Sequence, residues 1–264
     1  MDLQLTGRQA LVTGSTAGIG FAIAKTLARE GARVIVNGRT EAAVAQAVAA
    51  IGAVAPAIPP EGFFGDLSQS ETAASIVRRF PDVEILVNNL GVFEAKAFED
   101  IADEEWMHFF RVNVLSGARL ARLYLPAMRK ANWGRIIYIS SESAVQIPVE
   151  MIHYGVTKTA LLGLSRGLAE AVAGTGITVN SILPGPTKSR GVMDFVGQLA
   201  RRDGKTFEQV EAEFFRTARP TSLIKRFASP EEVASLVAYV ASPLSSATTG
   251  AALRVEGGVI KGAF

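Results

Sequence analysis

Short apolar runs alternate along the chain with longer segments whose apolar residues recur at helical spacing. The apolar runs predict strands at residues 10–12, 33–37, 62–65, 85–88, 135–140, 177–183 and 253–255. The periodic segments predict helices at residues 21–30, 41–50, 70–80, 103–130, 151–172 and 230–241. This alternation is typical of an α/β fold, with a parallel sheet covered by helices on both faces. No linker divides the chain, so we expect a single doubly wound domain over residues 1–264.

One segment, residues 187–228, breaks the alternation just beyond a predicted strand. It mixes Met193, Phe195, Phe214 and Phe215 with basic residues. We predict an insertion with its own helices that covers the substrate, rather than a plain surface excursion. Its apolar side chains either favour a bulky or apolar substrate or form a small core of the insertion, and the sequence leaves both interpretations open.

The charges of the 264-residue chain nearly balance, with 27 basic and 25 acidic residues. We therefore expect no nucleic-acid surface and no polybasic membrane contact. The absence of cysteine excludes thiolate metal sites, and with only two histidines we expect no metal. No secretory signal is visible, and no apolar run approaches the roughly 18 residues of a membrane span. A soluble, cytoplasmic protein is expected.

A glycine-rich turn follows the first predicted strand, with Gly14, Gly18 and Gly20 in the pattern G-x-x-x-G-x-G. This spacing differs from the more common G-x-G-x-x-G, but its physical consequence is the same. Glycine permits positive φ and lets backbone N–H groups approach a phosphate, and the following helix directs its positive end toward that charge. The position after a first strand favours a dinucleotide pyrophosphate site over a simple tight turn.

The end of the second predicted strand indicates which dinucleotide binds. A carboxylate there would accept a hydrogen bond from the ribose 2′-hydroxyl of NAD and repel the 2′-phosphate of NADP. This chain has Asn37-Gly38-Arg39 instead, with no acid before Glu41. Because arginine can bind a phosphate through two hydrogen bonds, the pattern favours NADP(H). The alternative is that Arg39 is a solvated loop residue.

Tyr154 and Lys158 are four residues apart in a predicted helix, so they share one face about one turn apart. Reduction of a carbonyl needs a hydride, which a nicotinamide cofactor carries, and a proton, which a phenol can supply. The pKa of a free tyrosine is about 10, too high for efficient proton exchange near neutrality. We expect the ammonium of Lys158 to lower that pKa and Tyr154 to act as the acid–base. His153 lies about 100° away around the helix and is expected to pack or face solvent.

Ser141 follows a predicted strand and precedes Tyr154 by 13 residues. Its hydroxyl could orient a carbonyl and stabilise developing negative charge, but spacing alone does not separate it from Ser140 and Ser143. Glu142 either faces the pocket, where it would favour hydroxylated or cationic substrates, or is a solvated loop residue.

Several motifs in order along the chain resemble the short-chain dehydrogenase/reductase family, almost from end to end. They are Thr13-Gly14-(x)3-Gly18-Ile19-Gly20, Asp66-Leu67, Asn88-Asn89-Leu90-Gly91, Asn113, Ser141, Tyr154-(x)3-Lys158 and Pro184-Gly185-Pro186-Thr187. The chain is similar to uncharacterised bacterial NADP-dependent members of the single-domain type. It is less similar to 3-oxoacyl carrier-protein reductases and gluconate-type dehydrogenases.

The resemblance implies a Rossmann-type fold and a role for each matching residue. Ser141, Tyr154 and Lys158 would be catalytic, together with Asn113, which would hold a water that links Lys158 to solvent. Asp66 would bond the adenine amino group. The candidate cofactor-binding residues are Gly14, Ser15, Thr16, Gly18, Ile19, Gly20, Asn37, Arg39, Asp66, Leu67, Asn89, Gly91, Tyr154, Lys158, Pro184, Gly185 and Thr187.

We therefore predict an NADP(H)-dependent oxidoreductase that interconverts a small-molecule carbonyl and a secondary alcohol. The alternative in the same class is a 3-oxoacyl thioester reductase, for which Arg122, Arg129, Lys130 and Arg166 could offer a basic patch to an acidic carrier protein. An NADP(H) sensor without turnover is a third hypothesis, disfavoured by the complete set of catalytic residues. The resemblance also implies a homotetramer or homodimer.

Overall fold

One seven-stranded sheet organises the protein, and all of its neighbouring strands are parallel. The structure, a computed structural model, describes residues 1–189, 192–193, 196–197, 201 and 204–263. The strands are β1 (Gln9–Val12), β2 (Arg33–Gly38), β3 (Glu61–Phe64), β4 (Ile85–Asn88), β5 (Gly134–Ile139), β6 (Ile177–Pro184) and β7 (Ala252–Val255). Their order across the sheet is β3-β2-β1-β4-β5-β6-β7.

Helices cover both faces of the sheet. In the described part of the chain they are α1 (Gly18–Arg29), α2 (Glu41–Val54), α3 (Ser70–Arg79), α4 (Asp103–Phe110), α5 (Ser116–Ala131), α6 (Ile152–Ala171), α7 (Phe207–Thr217) and α8 (Pro230–Ala241). Alternate residues of β1 point to opposite faces. On the first face, Ala10 and Val12 pack with α1 and α8. On the second face, Leu11 packs with α3, α5 and α6. The doubly wound sheet is therefore confirmed. None of the described helices has the length and apolar character needed to cross a membrane.

The predicted helix over residues 103–130 is interrupted. Between α4 and α5 the chain forms a π-helical turn at Arg111–Leu115, and Asn113 lies within it. Such turns insert an extra residue into a helix and are frequent at functional sites. Sequence periodicity predicted the helix but not this interruption.

The sheet has a switch point between β1 and β4. From β1 the chain builds outward to β2 and β3, then returns to form β4 on the other side of β1. At such a point the connections at the carboxyl ends of the strands separate and leave a crevice for a ligand. The glycine turn after β1 and the segment after β4 both lie at this crevice.

The described part of the insertion contains α7 and a small apolar cluster. The aromatic members of the cluster, with neighbouring ring centroids 5.1–6.3 Å apart, are Phe207, Phe214, Phe215 and Phe227. Phe214 and Phe215 therefore belong to a core of the insertion. Met193 is partly exposed, and Phe195 lies outside the described residues. The single-domain boundary and the covering role of residues 187–228 stay predictions.

Candidate functional site

The glycine turn between β1 and α1 forms a cradle of backbone atoms. Gly14 and Gly18 have φ angles of +60° and +57°, in the left-handed region that favours glycine. A Cβ at Gly20 would lie 2.5 Å from the carbonyl oxygen of Gly14 and 2.5 Å from Nδ2 of Asn89. The residue before α1 is Ala17, whose side chain cannot cap the helix, so the first-turn N–H groups can bind an anion. The cradle fits a pyrophosphate.

Hydrogen bonds across the switch point hold this turn in place. The Thr13 hydroxyl oxygen accepts hydrogen bonds from the backbone N–H groups of Asn89 and Leu90, both at 2.9 Å. Asn89 Nδ2 donates to the carbonyl oxygens of Thr13 at 3.0 Å and Gly14 at 3.2 Å. Asn89 therefore braces the turn, and its predicted contact with the adenine ribose stays a prediction.

Ser15 and Asn37 lie buried beneath the turn. Ser15 Oγ accepts a hydrogen bond from the backbone N–H of Asn37 at 3.0 Å. Asn37 Oδ1 accepts one from the backbone N–H of Gly14 at 3.1 Å, and its Nδ2 donates to the carbonyl oxygens of Phe63 and Gly65 at 3.2 Å each. The Asn37 side chain thus ties β2 to the turn and to β3. The sequence motif alone did not indicate this scaffolding position.

The exposed end of β2 carries the residues expected to select the dinucleotide. A Cβ at Gly38 would lie 2.4 Å from Cγ2 of Thr16, so the Thr16 methyl occupies the space where a longer side chain would begin. Burial acts to raise the pKa of Asp66, but hydrogen bonds from Ser68 and the positive charge of Arg39 help to hold that pKa below its ordinary value. Arg39 therefore lies within electrostatic reach of Asp66.

Two other predicted cofactor residues are part of the apolar core. Leu67 is completely buried against the second face of the sheet, and Ile19 packs against the first. Because the side chains of Leu67 and Ile19 pack in the core, these residues would contact a cofactor through their backbone atoms.

The segment after β6 forms the opposite end of the crevice. Pro184 ends the strand, and a Cβ at Gly185 would lie 2.5 Å from the carbonyl oxygen of Glu256. The buried Thr187 hydroxyl donates to the carbonyl oxygen of Gly185 at 2.8 Å. The predicted contact of this segment with the nicotinamide stays a prediction.

Asn113 joins the loop after β4 to α6. Its Oδ1 accepts a hydrogen bond from the backbone N–H of Val92 at 2.8 Å, and its Nδ2 donates to Val92 O at 3.0 Å and to Thr157 Oγ1 at 2.9 Å. A Cβ at Gly91 would lie 3.4 Å from Lys158 Nζ and 3.6 Å from Asn113 Oδ1. The π-helical turn therefore places the amide oxygen of Asn113 next to Gly91, which the lysine ammonium also borders.

Lys158 carries a buried ammonium. Its side chain is 4 % exposed, and Nζ donates a hydrogen bond to the carbonyl oxygen of Ile139 at 2.9 Å. Nζ also lies 5.6 Å from the ring centroid of Tyr154. Because burial penalises the charged form, it lowers the pKa of Lys158 to about 8.

The pKa of Tyr154 is shifted upward, whereas the sequence predicted a downward shift. Burial raises the pKa of its phenol to about 12. The Ser141 side chain and the charge of Arg219 lower this pKa, while the charge of Glu142 raises it. The expectation that Lys158 lowers the pKa of Tyr154 is therefore wrong for this structure. Desolvation dominates because the ammonium is directed to a backbone carbonyl rather than to the phenol oxygen.

The structure separates the three neighbouring serines. The Ser140 hydroxyl donates to the carbonyl oxygen of Lys158 at 2.8 Å and so fastens α6 to β5. Ser141 Oγ accepts a hydrogen bond from the backbone N–H of Ser143 at 3.1 Å, and its side chain also acts to lower the pKa of the Tyr154 phenol. Ser141 is therefore the serine that can share a substrate oxygen with the phenol.

Glu142 is buried, which excludes the alternative that it is a solvated loop residue. Its Oε1 accepts a hydrogen bond at 2.9 Å from Nε of Arg219, a buried residue just beyond α7. Burial raises the pKa of Glu142, and the charge and hydrogen bond of Arg219 oppose that shift. Sequence analysis missed Arg219. The available signal was a carboxylate next to Ser141, which needs a cation if buried.

His153 is a packing residue. It is completely buried, and its ring centroid lies 4.1 Å from that of Phe109 and 6.0 Å from that of Trp106. Burial lowers the pKa of His153, which favours the neutral ring.

The buried ammonium of Lys158 predicts a pH-dependent stability difference between the wild type and Lys158→Met. Between about pH 8 and pH 10.5 the unfolded chain holds a proton on Lys158 that the folded protein has lost, so this group makes the free energy of unfolding rise with pH. The methionine variant lacks this contribution. We expect wild-type minus variant stability to increase by about 3 kcal/mol across that window.

Denaturant unfolding from about pH 7 to about pH 10 measures this difference. Lys130→Met, which removes a lysine at an exposed position of α5, is the matched control, and the increase for Lys158→Met should exceed any change seen with it. A flat difference for Lys158→Met would show that its ammonium is not desolvated.

Comparisons with known proteins identify chains that are similar in sequence and in fold. A family model described as short chain dehydrogenase matches residues 8–198. The uncharacterized oxidoreductase YvaG of Bacillus subtilis (strain 168) is 46 % identical over the full length of both chains. The D-beta-hydroxybutyrate dehydrogenase of Cupriavidus necator is 33 % identical, over 96 % of this chain and 98 % of the relative. The crystal structure of L-sorbose reductase from Gluconobacter frateurii, complexed with NADPH and L-sorbose, superposes with a TM-score of 0.94 at 32 % identity, covering 99 % of this chain and 100 % of that one.

Proposed function

Because this chain belongs to the short-chain dehydrogenase/reductase family, we propose that Tyr154 is its catalytic acid–base, with Ser141, Lys158 and Asn113 as partners. The chain is an oxidoreductase that interconverts a carbonyl and an alcohol with a nicotinamide cofactor. The observation that best supports the assignment of Tyr154 is its position: the Ser141 side chain acts to lower the pKa of its phenol, and the buried Lys158 Nζ lies 5.6 Å from its ring centroid.

Each of these side chains has a distinct task. When bound, the cofactor supplies or accepts the hydride. In reduction, Tyr154 Oη donates its proton to the substrate oxygen while Ser141 Oγ holds that oxygen by a hydrogen bond. A pKa of about 12 keeps the phenol protonated near neutral pH, so its proton is present for donation, but a lower pKa would make it the stronger acid. In oxidation, the phenol must first lose its proton. The Lys158 ammonium would stabilise the phenolate only after turning from the carbonyl oxygen of Ile139 to the phenol oxygen. Asn113 would hold a water in contact with Lys158.

NADP(H) is the preferred cofactor in this proposal. No carboxylate ends β2, and the Thr16 methyl leaves no room for a side chain at Gly38. Arg39 is exposed, and its positive charge reaches Asp66, the residue proposed to meet the adenine. The L-sorbose reductase of Gluconobacter frateurii is described as a complex with NADPH, which agrees with this preference.

Arg39→Ala should reduce the preference for NADPH. Loss of a charge-assisted hydrogen bond to the 2′-phosphate lowers the ratio of kcat/KM for NADPH to that for NADH by about 10- to 100-fold. Both cofactors are compared with one carbonyl substrate by nicotinamide absorbance. Arg33→Ala, exposed at the other end of β2, is the control and keeps the wild-type ratio. An unchanged ratio in Arg39→Ala would identify Arg39 as a solvated loop residue.

The thioester alternative depends on basic side chains of α5 and α6 meeting an acidic carrier protein. Two of them are engaged within the chain, since Arg166 pairs with Glu170 and Arg129 donates to the carbonyl oxygen of Ala171. A panel of ketones, alcohols and acetoacetyl thioesters, followed with NADPH and NADP⁺, tests the proposal. Turnover of thioesters alone would favour the alternative, and NADPH binding without turnover would favour a sensor.

A homotetramer or homodimer is also part of the proposal. Helices α5 and α6 present an apolar groove lined in part by Leu125, Pro126, Leu164 and Leu168. A second copy of the chain packed on this groove would remove apolar surface from water. Light scattering of the purified chain measures the mass of the assembly. A mass equal to that of a single chain would contradict the proposed oligomer.

A further inference from the structure

A buried ion pair next to the catalytic serine has one unused acceptor. Glu142 and Arg219 are 3 % and 7 % exposed, and Arg219 Nε lies 2.9 Å from Glu142 Oε1. The other carboxylate oxygen, Oε2, is also buried. The Ser143 side chain acts to lower the pKa of Glu142, but no described residue makes a hydrogen bond to Oε2. The pair therefore uses only half of the carboxylate.

This carboxylate lies beside the reacting groups. Glu142 directly follows Ser141 and begins a short 3₁₀ turn beyond the carboxyl end of β5, and the Ser141 side chain acts on the pKa of Tyr154. The charges of both Glu142 and Arg219 act on the Tyr154 phenol. Glu142 is thus next in the chain to the serine proposed to hold the substrate oxygen, and its charge acts on the phenol proposed to protonate that oxygen.

A buried carboxylate oxygen without a donor is costly, because it has lost its water and gained no hydrogen bond in return. Arg219 already compensates the charge of Glu142. What Oε2 lacks is thus a hydrogen-bond donor rather than a second cation, and a neutral hydroxyl supplies one.

From this geometry we propose that Glu142 is a specificity-determining residue whose Oε2 accepts a hydrogen bond from a substrate hydroxyl, so that the substrates are neutral polyhydroxylated ketones and the corresponding polyols. This inference rests on the proposed function of Tyr154 and Ser141 and adds the substrate class.

The charges around the pair disfavour an anionic substrate. Arg219 Nη1 lies 3.4 Å from Oε1 of Glu150 and donates to the carbonyl oxygen of Ala218 at 2.9 Å. Two carboxylates therefore share this guanidinium. A substrate carboxylate or phosphate placed here would meet Glu142 and would have to compete with both for Arg219.

Matched substrates that differ only in hydroxyl groups test the proposal. We would measure kcat/KM for 1-hydroxy-2-butanone against 2-butanone with NADPH, and for a set of hexitols against 2-hexanol with NADP⁺. In at least one series the hydroxylated member should be preferred by about 10- to 100-fold, the range expected for one hydrogen bond to a charged group. Glu142→Gln should remove most of that advantage, measured as the ratio of the two kcat/KM values within each series.

Glu150→Gln is the matched control, since it removes the other, more exposed carboxylate near Arg219 and should keep the wild-type preference. Glu142→Gln leaves the buried Arg219 guanidinium without its closest negative charge, and this loss could unfold the protein. The double variant Glu142→Gln/Arg219→Gln removes both buried charges and should lose the preference in the same way.

Two results would overturn the inference: a wild type that favours the unhydroxylated member in both series, or a hydroxyl preference that persists in Glu142→Gln or the double variant. Failure of the proposed function is distinguishable from either. In that case the wild type would bind NADPH but turn over neither member of any pair.

Discussion

Tyr154→Phe should lower kcat for carbonyl reduction by about 10²- to 10⁴-fold, the usual contribution of a general acid. The change removes only the phenol oxygen. The ring keeps its edge-on contact with Phe93, at a centroid distance of 6.2 Å, and its place above the Lys158 ammonium. NADPH binding should therefore be nearly unchanged. Steady-state turnover and a fluorescence titration with NADPH measure the two quantities on one preparation.

Tyr239→Phe is the matched control, because Tyr239 lies partly exposed on α8, which packs on the first face of the sheet. It should retain wild-type turnover. If Tyr154→Phe also retained turnover, the proton would come from another group, and the roles given to Ser141 and Lys158 would lose their basis.

Gly20→Ala should weaken both the fold and cofactor binding. The added Cβ would lie 2.5 Å from the carbonyl oxygen of Gly14 and 2.5 Å from Nδ2 of Asn89, so the turn must move. Overpacking of this kind destabilises a protein by about 1–3 kcal/mol. Displaced backbone N–H groups also lose hydrogen bonds to the phosphates, and we expect Kd for NADPH to rise by about 10- to 100-fold.

Gly52→Ala provides the comparison. Gly52 lies in α2, and a Cβ there would meet only Pro60 Cδ at an ordinary 3.6 Å. Because alanine is the better helix former, this variant should be more stable by about 0.5–1 kcal/mol and bind NADPH normally. Thermal unfolding and calorimetric titration compare the two variants. Normal NADPH affinity in a folded Gly20→Ala protein would remove the glycine turn from the cofactor site.

The parts of the fold and site that sequence could predict are those encoded over short distances. Ala10, Leu11 and Val12 are all apolar because both faces of their strand are buried, and this pattern predicts the parallel sheet. The glycine spacing and the Tyr154–Lys158 interval are equally local. Each follows from the geometry of one turn or one helix face.

Features set by tertiary contacts could not be predicted in this way. Glu142 and Arg219 are 77 positions apart, and no periodicity connects them. Asn37 has the appearance of a cofactor-loop residue, yet its side-chain bonds lead to the glycine turn and to the end of β3. Helical spacing placed Lys158 on the same face as Tyr154. It did not indicate that the flexible side chain ends at the carbonyl oxygen of Ile139.

The most direct test of the central claim is to follow the transferred hydrogen during a single turnover. Wild type and Tyr154→Phe would each be mixed with NADPH that carries deuterium at the reactive C4 position and with a ketone found active in the panel. With the wild type, we predict one deuterium on the carbinol carbon of each alcohol formed. The variant should form little alcohol while binding the same cofactor. Alcohol without deuterium, or equal yields from both proteins, would contradict hydride transfer assisted by Tyr154.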